Sequence, residues 1–466
     1  MSTFRLFNYY FRLPFLILWL IEVSILFGSV FLAAYIRFGK NITDFDPGLG
    51  RLETHAIIFA VGMMFSFVGM GMYQARMRFG VKGLLLRMIA AYFFGMLILA
   101  LLFYMAPKIY LGRGVIFYSF VSSFIIIFIL RMLVIKSDSD VFKRRILVLG
   151  TGEKALTVTQ LRRKTDRVGF LLLGYVHLRG VIDKVDKNKI ISLHMPLKEY
   201  CLTNEVDEII LAIDDNRKSF PVQELLDCKM SGVSITELAN FFERESGKVK
   251  LDLLKPSWLI LNEGFNISAY SAVIKRIFDI TISLVILLLA WPLMLLTVIA
   301  IKCEEGLNAP VFYRQIRVGE DGKPYYVFKF RSMQIDAEKG GKAKWADKHD
   351  TRITKVGSFI RNTRLDELPQ LFNVLRGDMS FVGPRPERPE FVVKLSEKIP
   401  YYSERHRVKP GITGWAQIRY PYGSSDKDAI EKLQYDLYYI KNYSLFMDFL
   451  ILLQTVEVVL FGKGAR

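Results

Sequence analysis

Apolar residues fill four early stretches of the chain, 13–36, 56–73, 84–105 and 114–135, and each approaches or exceeds the roughly 20 residues that cross a bilayer as a helix. All four are expected to span a membrane. The first has no short apolar core followed by a small-residue cleavage site, so it reads as a retained helix and not a signal peptide. A fifth apolar run, 276–301, is long enough to cross as well. Pro292 near its middle removes one helical hydrogen bond, however, and predicts two shorter arms. At about 1.5 Å per residue each arm reaches about halfway through the bilayer, so both ends would return to one face. Between the fourth and fifth runs the pattern changes. Residues 144–155, RRILVLGTGEKA, read as an apolar strand entering G-x-G-x-x-A and then a helix. Residues 170–176, 208–213 and 233–236 read as further strands, with a helix at 220–230.

The expected fold is therefore a membrane protein of α plus α/β class. It has a four-helix transmembrane part at 1–136, a Rossmann-like, doubly wound middle domain at 143–255, and a C-terminal α/β domain at 271–466 that carries a re-entrant membrane helix at 276–301.

Charge sets the orientation. Arg76, Arg78, Lys82 and Arg87 follow the second run, and Lys136, Lys143, Arg144 and Arg145 follow the fourth, which places both segments on the cytoplasmic side. Lys275, Arg276 and Lys302 flank the fifth run, where anionic head groups are their expected partners. The formal net charge of +18, in a chain that is 52% hydrophobic, fits lipid and phosphorylated substrates. No nucleic-acid recognition motif is present, so nucleic acid is not an expected partner. Cys201, Cys228 and Cys303 are too far apart for a zinc site and suit a reducing cytoplasm. Glu22 lies inside the first run, as a packed or functional intramembrane acid or one near enough to an end to reach water.

The densest chemistry lies in TRLDELPQLFNVLRGDMSFVGPRP, residues 363–386. Asp366 and Glu367 are adjacent carboxylates among Arg361, Arg364, Arg376, Arg385 and Arg388. Leu368, Leu371, Phe372 and Leu375 recur at helical spacing and Gly377 supplies a stop, which predicts a helix over 365–375 with Asp366 at its N-terminal cap. The helix dipole would there favour an ionised carboxylate, as a nucleophile or metal ligand requires. Arg385, fixed between Pro384 and Pro386, is placed to grip a phosphate as a fork. Arg314, Lys329 and Arg331 belong to a basic, aromatic stretch upstream that suits a pyrophosphate at a membrane surface. Paired carboxylates among arginines point to phosphoryl chemistry with a divalent cation, Mg2+, for which Asp366 is the expected protein ligand. Asp436 is a further acid that would assist the metal or lie on a helix surface, Gly411, Gly414 and Trp415 shape and anchor a turn, and His349 and His406 read as structural.

From about residue 271 onward the chain resembles the bacterial sugar transferase domain of monotopic phosphoglycosyl transferases, the polyprenyl-phosphate hexose-1-phosphate transferases. KRIFDI (275–280), FYRQIRVGEDGKPYYVFKFRSM (312–333), LDELPQLFNVLRGDMSFVGPRP (365–386), RVKPGITGWAQI (407–418) and YDLYYIKNYSLFMDFLIL (435–452) carry the likeness. The resemblance implies that Asp366 and Glu367 are the catalytic dyad. Asp366 would attack a UDP-sugar, release UMP and carry the phosphosugar to polyprenyl phosphate. It also implies the re-entrant helix, a catalytic domain on the cytoplasmic face of the bacterial inner membrane, and a middle domain that mediates association, expected as a homodimer. The reaction would initiate exopolysaccharide, capsule or O-antigen synthesis. Two other readings remain at this point. One is a membrane-tethered NAD-dependent nucleotide-sugar enzyme built on Gly150, Gly152 and Ala155, although Tyr175, Val176 and His177 stand where an acid would hold a ribose. The other is a non-catalytic assembly scaffold, against which the presence of both acids speaks.

Overall fold

A computed structural model of the chain describes residues 3–6, 9–39, 51–70, 72–73, 81–107, 110–136, 144–159, 170–178, 182–214, 220–254, 269–334, 352–421, 423 and 425–460. Its contacts divide into two units, Met1–Ser246 and Gly247–Arg466.

The first unit opens with a short antiparallel pair, β1 (Thr3–Leu6) and β2 (Tyr9–Arg12), which the hydrophobic pattern does not signal. Four long apolar helices follow: α1 (Leu13–Phe38), α2 (Leu52–Gly69), α3 (Val81–Met105) and α4 (Arg113–Lys136). Each is long and apolar enough to cross a membrane. The second begins four residues before the apolar run expected for it, because Glu53 and His55 are tolerated in its first turn, where His55 Nδ1 meets the Arg51 carbonyl at 3.0 Å. The four helices share one apolar core that includes Leu26, Phe59, Met63, Phe67, Met88 and Ile127. Glu22 is fully buried in this unit. Arg131 grips it as a fork, Nε to Oε1 at 2.6 Å and Nη2 to Oε2 at 2.8 Å, and the Tyr73 hydroxyl donates to the same carboxylate. Removing either charge alone would strand the other in an apolar interior, at a cost of about 3–5 kcal/mol.

The rest of this unit is a five-stranded parallel sheet in the order β5-β4-β3-β6-β7, built from β3 (Arg144–Leu149), β4 (Phe170–Val176), β5 (Ile190–Ile191), β6 (Glu208–Leu211) and β7 (Ser234–Glu237). Four helices accompany it: α5 (Glu153–Thr159), α6 (Leu197–Thr203), α7 (Val222–Met230) and α8 (Leu238–Ser246). Gly150, at φ +122°, allows β3 to turn into α5, and a Cβ there would stand 2.4 Å from the Ala212 carbonyl oxygen. The N-terminus of α5 is filled from within the domain, since the Lys154 N–H donates to the Asp214 carboxylate at 3.0 Å.

The second unit is organised around α9 (Ala269–Glu305), one helix of 37 residues with Pro292 inside it. The proline does not divide it into two elements. Its missing N–H removes a single bond while the turns on either side keep their own. The basic residues at its ends have partners within the protein. Lys275 is 6% exposed and pairs with Asp448 at 2.8 Å, and Arg276 donates to the Val374 and Leu375 carbonyls at 2.5 and 2.6 Å. Lys302 donates to the Ala309 carbonyl at 2.7 Å. At the far end Glu304 accepts the backbone N–H groups of Lys355 and Val356. Both ends of α9 are thus bound to the same folded unit. Between them Leu288, Leu289 and Trp291 are 58–73% exposed.

Candidate active site

The antiparallel hairpin of β8 (Phe312–Val318) and β9 (Pro324–Phe330) leads to α10 (Lys355–Asn362), a short 3-10 turn at Leu365–Glu367, and α11 (Gln370–Arg376). The helix expected over 365–375 is split, with Pro369 as the cap of α11. Asp366 therefore lies in the 3-10 turn and not at an α-helix cap. Arg364 enters that turn at φ +61°, and Gly377 closes α11 at φ +96° as its spacing predicts. Asn373, fully buried, ties α11 to β9: its Oδ1 accepts the Phe328 N–H at 3.0 Å and its Nδ2 donates to the Tyr326 carbonyl at 2.7 Å. This staple sets Lys329 against the acidic pair.

Lys329 Nζ and Arg385 Nη2 both reach Glu367 Oε1 at 3.0 Å, and Arg364 stands 3.9 Å away. Burial alone would push the Glu367 carboxyl up. The three cations outweigh it and hold that carboxyl well below its usual range. Asp366, 8% exposed, behaves in the opposite sense. Burial and the adjacent Glu367 push it up, against the pull of Lys329, Arg361 and Arg364. Among the described residues no hydrogen-bonding side chain is recorded on Asp366. The two adjacent carboxyls therefore differ: Glu367 is the ionised partner of the cations, while Asp366 is held above its usual range. A helix dipole does not account for its state, because the turn that carries it is too short.

Arg385 arrives on the loop after β10 (Ser380–Val382), which pairs in parallel with β11 (Gly411–Thr413). Gly383, Gly411 and Gly414 let the two backbones approach. A Cβ on Gly414 would lie 2.1 Å from the Gly383 carbonyl oxygen, so no larger residue fits. Trp415 anchors the turn, with Nε1 donating to the Gly247 carbonyl at 2.8 Å.

The site residues expected from sequence separate into two groups. Asp366, Glu367, Lys329 and Arg385 come together, and Arg361 acts on Asp366 through its charge. Arg314 does not join them. The register pairs it with Phe328, one residue out of step with Lys329, so it is exposed on the other face of the hairpin. Arg331 instead donates to the Pro310 carbonyl at 3.0 Å. Asp436 is no surface acid: it is buried on the helix Asp426–Lys441 and paired with Arg405 at 2.9 Å. Burial pushes it up to about 6 against the pull of that arginine. His406 is part of the interior, and burial pushes its imidazole down to about 4. His349 lies outside the described residues. Asn373 and Arg405 were missed. An asparagine in the middle of an apolar helix is the one sequence signal that marks the first, and the second is hidden in the basic run of residues 405–409.

A cleft of about 230 Å³ runs from Glu367 and Arg385 to the apolar helix α9. Its charged wall includes Glu367, Arg385, Arg405 and Asp436, and its apolar wall includes Leu371 and Phe381 together with Ile286 of α9. No cluster of three or more metal-binding side chains occurs among the described residues. A magnesium ion is held by one or two carboxylates with substrate phosphates completing its shell, and Asp366 beside Glu367 fits that donor set.

Comparison with known proteins gives the following. The family model described as bacterial sugar transferase matches residues 270–462. The chain is 42% identical over 242 residues to the UDP-N-acetylgalactosamine-undecaprenyl-phosphate N-acetylgalactosaminephosphotransferase of Aeromonas hydrophila, covering 52% of this chain and 56% of that protein. It is 35% identical over 331 residues to the UDP-glucose:undecaprenyl-phosphate glucose-1-phosphate transferase of Klebsiella pneumoniae, covering 69% of each. To the enzyme of the same name from Xanthomonas campestris pv. campestris it is 32% identical over 335 residues, covering 69% of this chain and 68% of the relative. The match thus spans little more than half of the first relative and about two thirds of the other two.

Proposed function

Since the chain belongs to the bacterial sugar transferase family, in its polyprenyl-phosphate hexose-1-phosphate type, we propose that it moves a sugar 1-phosphate from a UDP-sugar to undecaprenyl phosphate and releases UMP. The product would be the first lipid-linked sugar of a surface polysaccharide. One observation carries this reading: Glu367, paired with Lys329 and Arg385 and adjacent to the buried Asp366, lines a cleft that the long apolar helix α9 also lines through Ile286.

The roles in this reading are as follows. An Asp366 oxygen attacks the sugar-bearing phosphorus, a P–O bond forms, and the bond to UMP breaks with its electron pair leaving on UMP. The phosphate oxygen of undecaprenyl phosphate then attacks the same phosphorus and expels Asp366. Glu367 holds Lys329 and Arg385 in place, and the Arg385 guanidinium is the group in this reading that meets the diphosphate. Asp366 is the residue that would hold magnesium, whose chemistry there would be to compensate negative charge on the phosphates. The apolar wall at Ile286, Leu371 and Phe381 lets a polyprenyl chain approach from the bilayer while its phosphate stays at the dyad.

This reading requires both ends of α9 on the cytoplasmic side, with its exposed middle in lipid. One observation supports re-entry: Arg276 and Glu304, near opposite ends, bind the same folded unit. Single cysteines at Tyr270 and Leu307, in a chain whose native cysteines are serines, test the point. Both should escape an impermeant thiol reagent in intact cells and react once the cells are permeabilised. Labelling of the Leu307 site alone in intact cells would mean that the helix crosses.

A further inference from the structure

Arg385 can serve the dyad only if the loop that carries it is held in register, and the first turns of the membrane helix hold the entry to that loop. Asp279, 3% exposed and within α9, accepts the Phe381 N–H at 3.0 Å and the Ser380 hydroxyl at 3.0 Å. These two residues belong to β10, which ends three residues before Arg385. Lys275, one turn earlier on α9, lies 3.7 Å from Asp279 and pairs with Asp448 at 2.8 Å. The Tyr439 hydroxyl meets the other oxygen of Asp448 at 2.6 Å and stands 3.1 Å from the Val382 carbonyl. Downstream, Arg405 donates to the Arg385 carbonyl at 2.9 Å. The arginine loop is therefore clamped at both ends, and the upstream clamp is built on the membrane helix itself.

Neither the chemistry at the dyad nor the membrane anchoring of α9 requires a carboxylate at 279. A buried acid is a cost that Lys275, shared with Asp448, offsets only in part, and the two hydrogen bonds of Asp279 go to the strand that leads into Arg385. We propose that Asp279 is a positioning residue: by joining α9 to β10 it aims Arg385 at Glu367 and at the substrate diphosphate, so that docking of the membrane helix and assembly of the active site are one event. The proposal rests on the reading of Arg385 as a diphosphate ligand.

A double-mutant cycle in the full chain, reconstituted in lipid nanodiscs, tests it. The substrates are undecaprenyl phosphate with UDP-N-acetylgalactosamine or UDP-glucose, whichever the wild type turns over. Asp279→Ala should lower kcat/KM for the UDP-sugar by about ten-fold or more, since small misplacements of a substrate-binding group cost up to 100-fold. Asp279→Asn, which keeps an oxygen acceptor for Phe381 and Ser380, should recover most of that loss. In an Arg385→Lys background the same alanine substitution should cost less than about three-fold, because coupled residues are not additive. Ser380→Ala provides the same cycle if Asp279→Ala lowers the thermal unfolding temperature too far for assay. Equal losses from Asp279→Ala in both backgrounds, with Arg385→Lys itself impaired, would overturn the positioning role and leave the reading of Arg385 intact. Wild-type kinetics in Arg385→Lys would remove that reading and the proposal with it, while turnover by the wild type would leave the reaction class standing.

Discussion

Asp366→Asn should gain no mass when incubated with UDP-sugar alone, whereas the wild-type chain should gain one sugar phosphate. Asparagine matches aspartate in size and leaves the cations around Glu367 in place, so the 3-10 turn and the pairs to Lys329 and Arg385 should persist. What is lost is the nucleophilic oxygen. Removal of a covalent nucleophile costs on the order of 10⁴-fold or more in turnover, and no neighbouring group here can replace it. Glu367 is held low by Lys329, Arg385 and Arg364, and a carboxylate engaged in that way is a poor attacking group. An adduct that survives in Asp366→Asn would move the nucleophile elsewhere. A wild type that turns over without any adduct, with kinetics that require both substrates bound together, would replace the two-step route by direct transfer.

Thorough chelation should reduce turnover by about 100-fold or more, with recovery on adding magnesium and not on adding a monovalent salt. The reason is the local charge balance. Lys329, Arg361 and Arg364 already act on Asp366, and Lys329 and Arg385 pair with Glu367, so a diphosphate entering beside Asp366 adds negative charge where the cations are already engaged. A divalent ion held at Asp366 would offset that added charge. Full activity in the chelated enzyme would show that the arginines alone suffice, and would assign Asp366 no ligand role.

Much of this site is legible because its chemistry is local. Asp366 and Glu367 are adjacent, their arginines lie within about twenty residues, and Pro384 and Pro386 mark Arg385 as a fixed fork. The apolar runs are long enough that α1 to α4 follow from composition. The misplacements arise where geometry depends on distant partners or on register. Arg314 and Lys329 look alike in a basic strand, yet the pairing of Tyr313 with Lys329 puts them on opposite faces. Lys275 and Arg276 look like head-group ligands, and only the fold brings Asp448, 173 residues away, and the carbonyl end of α11 to meet them. The helix expected at Asp366 fails for a local reason that spacing does not reveal: Pro369 takes the cap of α11, and the left-handed Arg364 tightens the preceding turn into 3-10 form. Asp436 was open between a metal helper and a surface acid because Arg405, its buried partner, lies on another element.

The central claim is the transfer of a sugar 1-phosphate, and the nucleotide released tests it most directly. The purified chain in nanodiscs, given undecaprenyl phosphate, magnesium and a panel of UDP-sugars one at a time, should release UMP in equal amount to a lipid-linked diphosphate sugar for at least one donor. Release of UDP would mean transfer of the sugar without its phosphate, and would contradict the account.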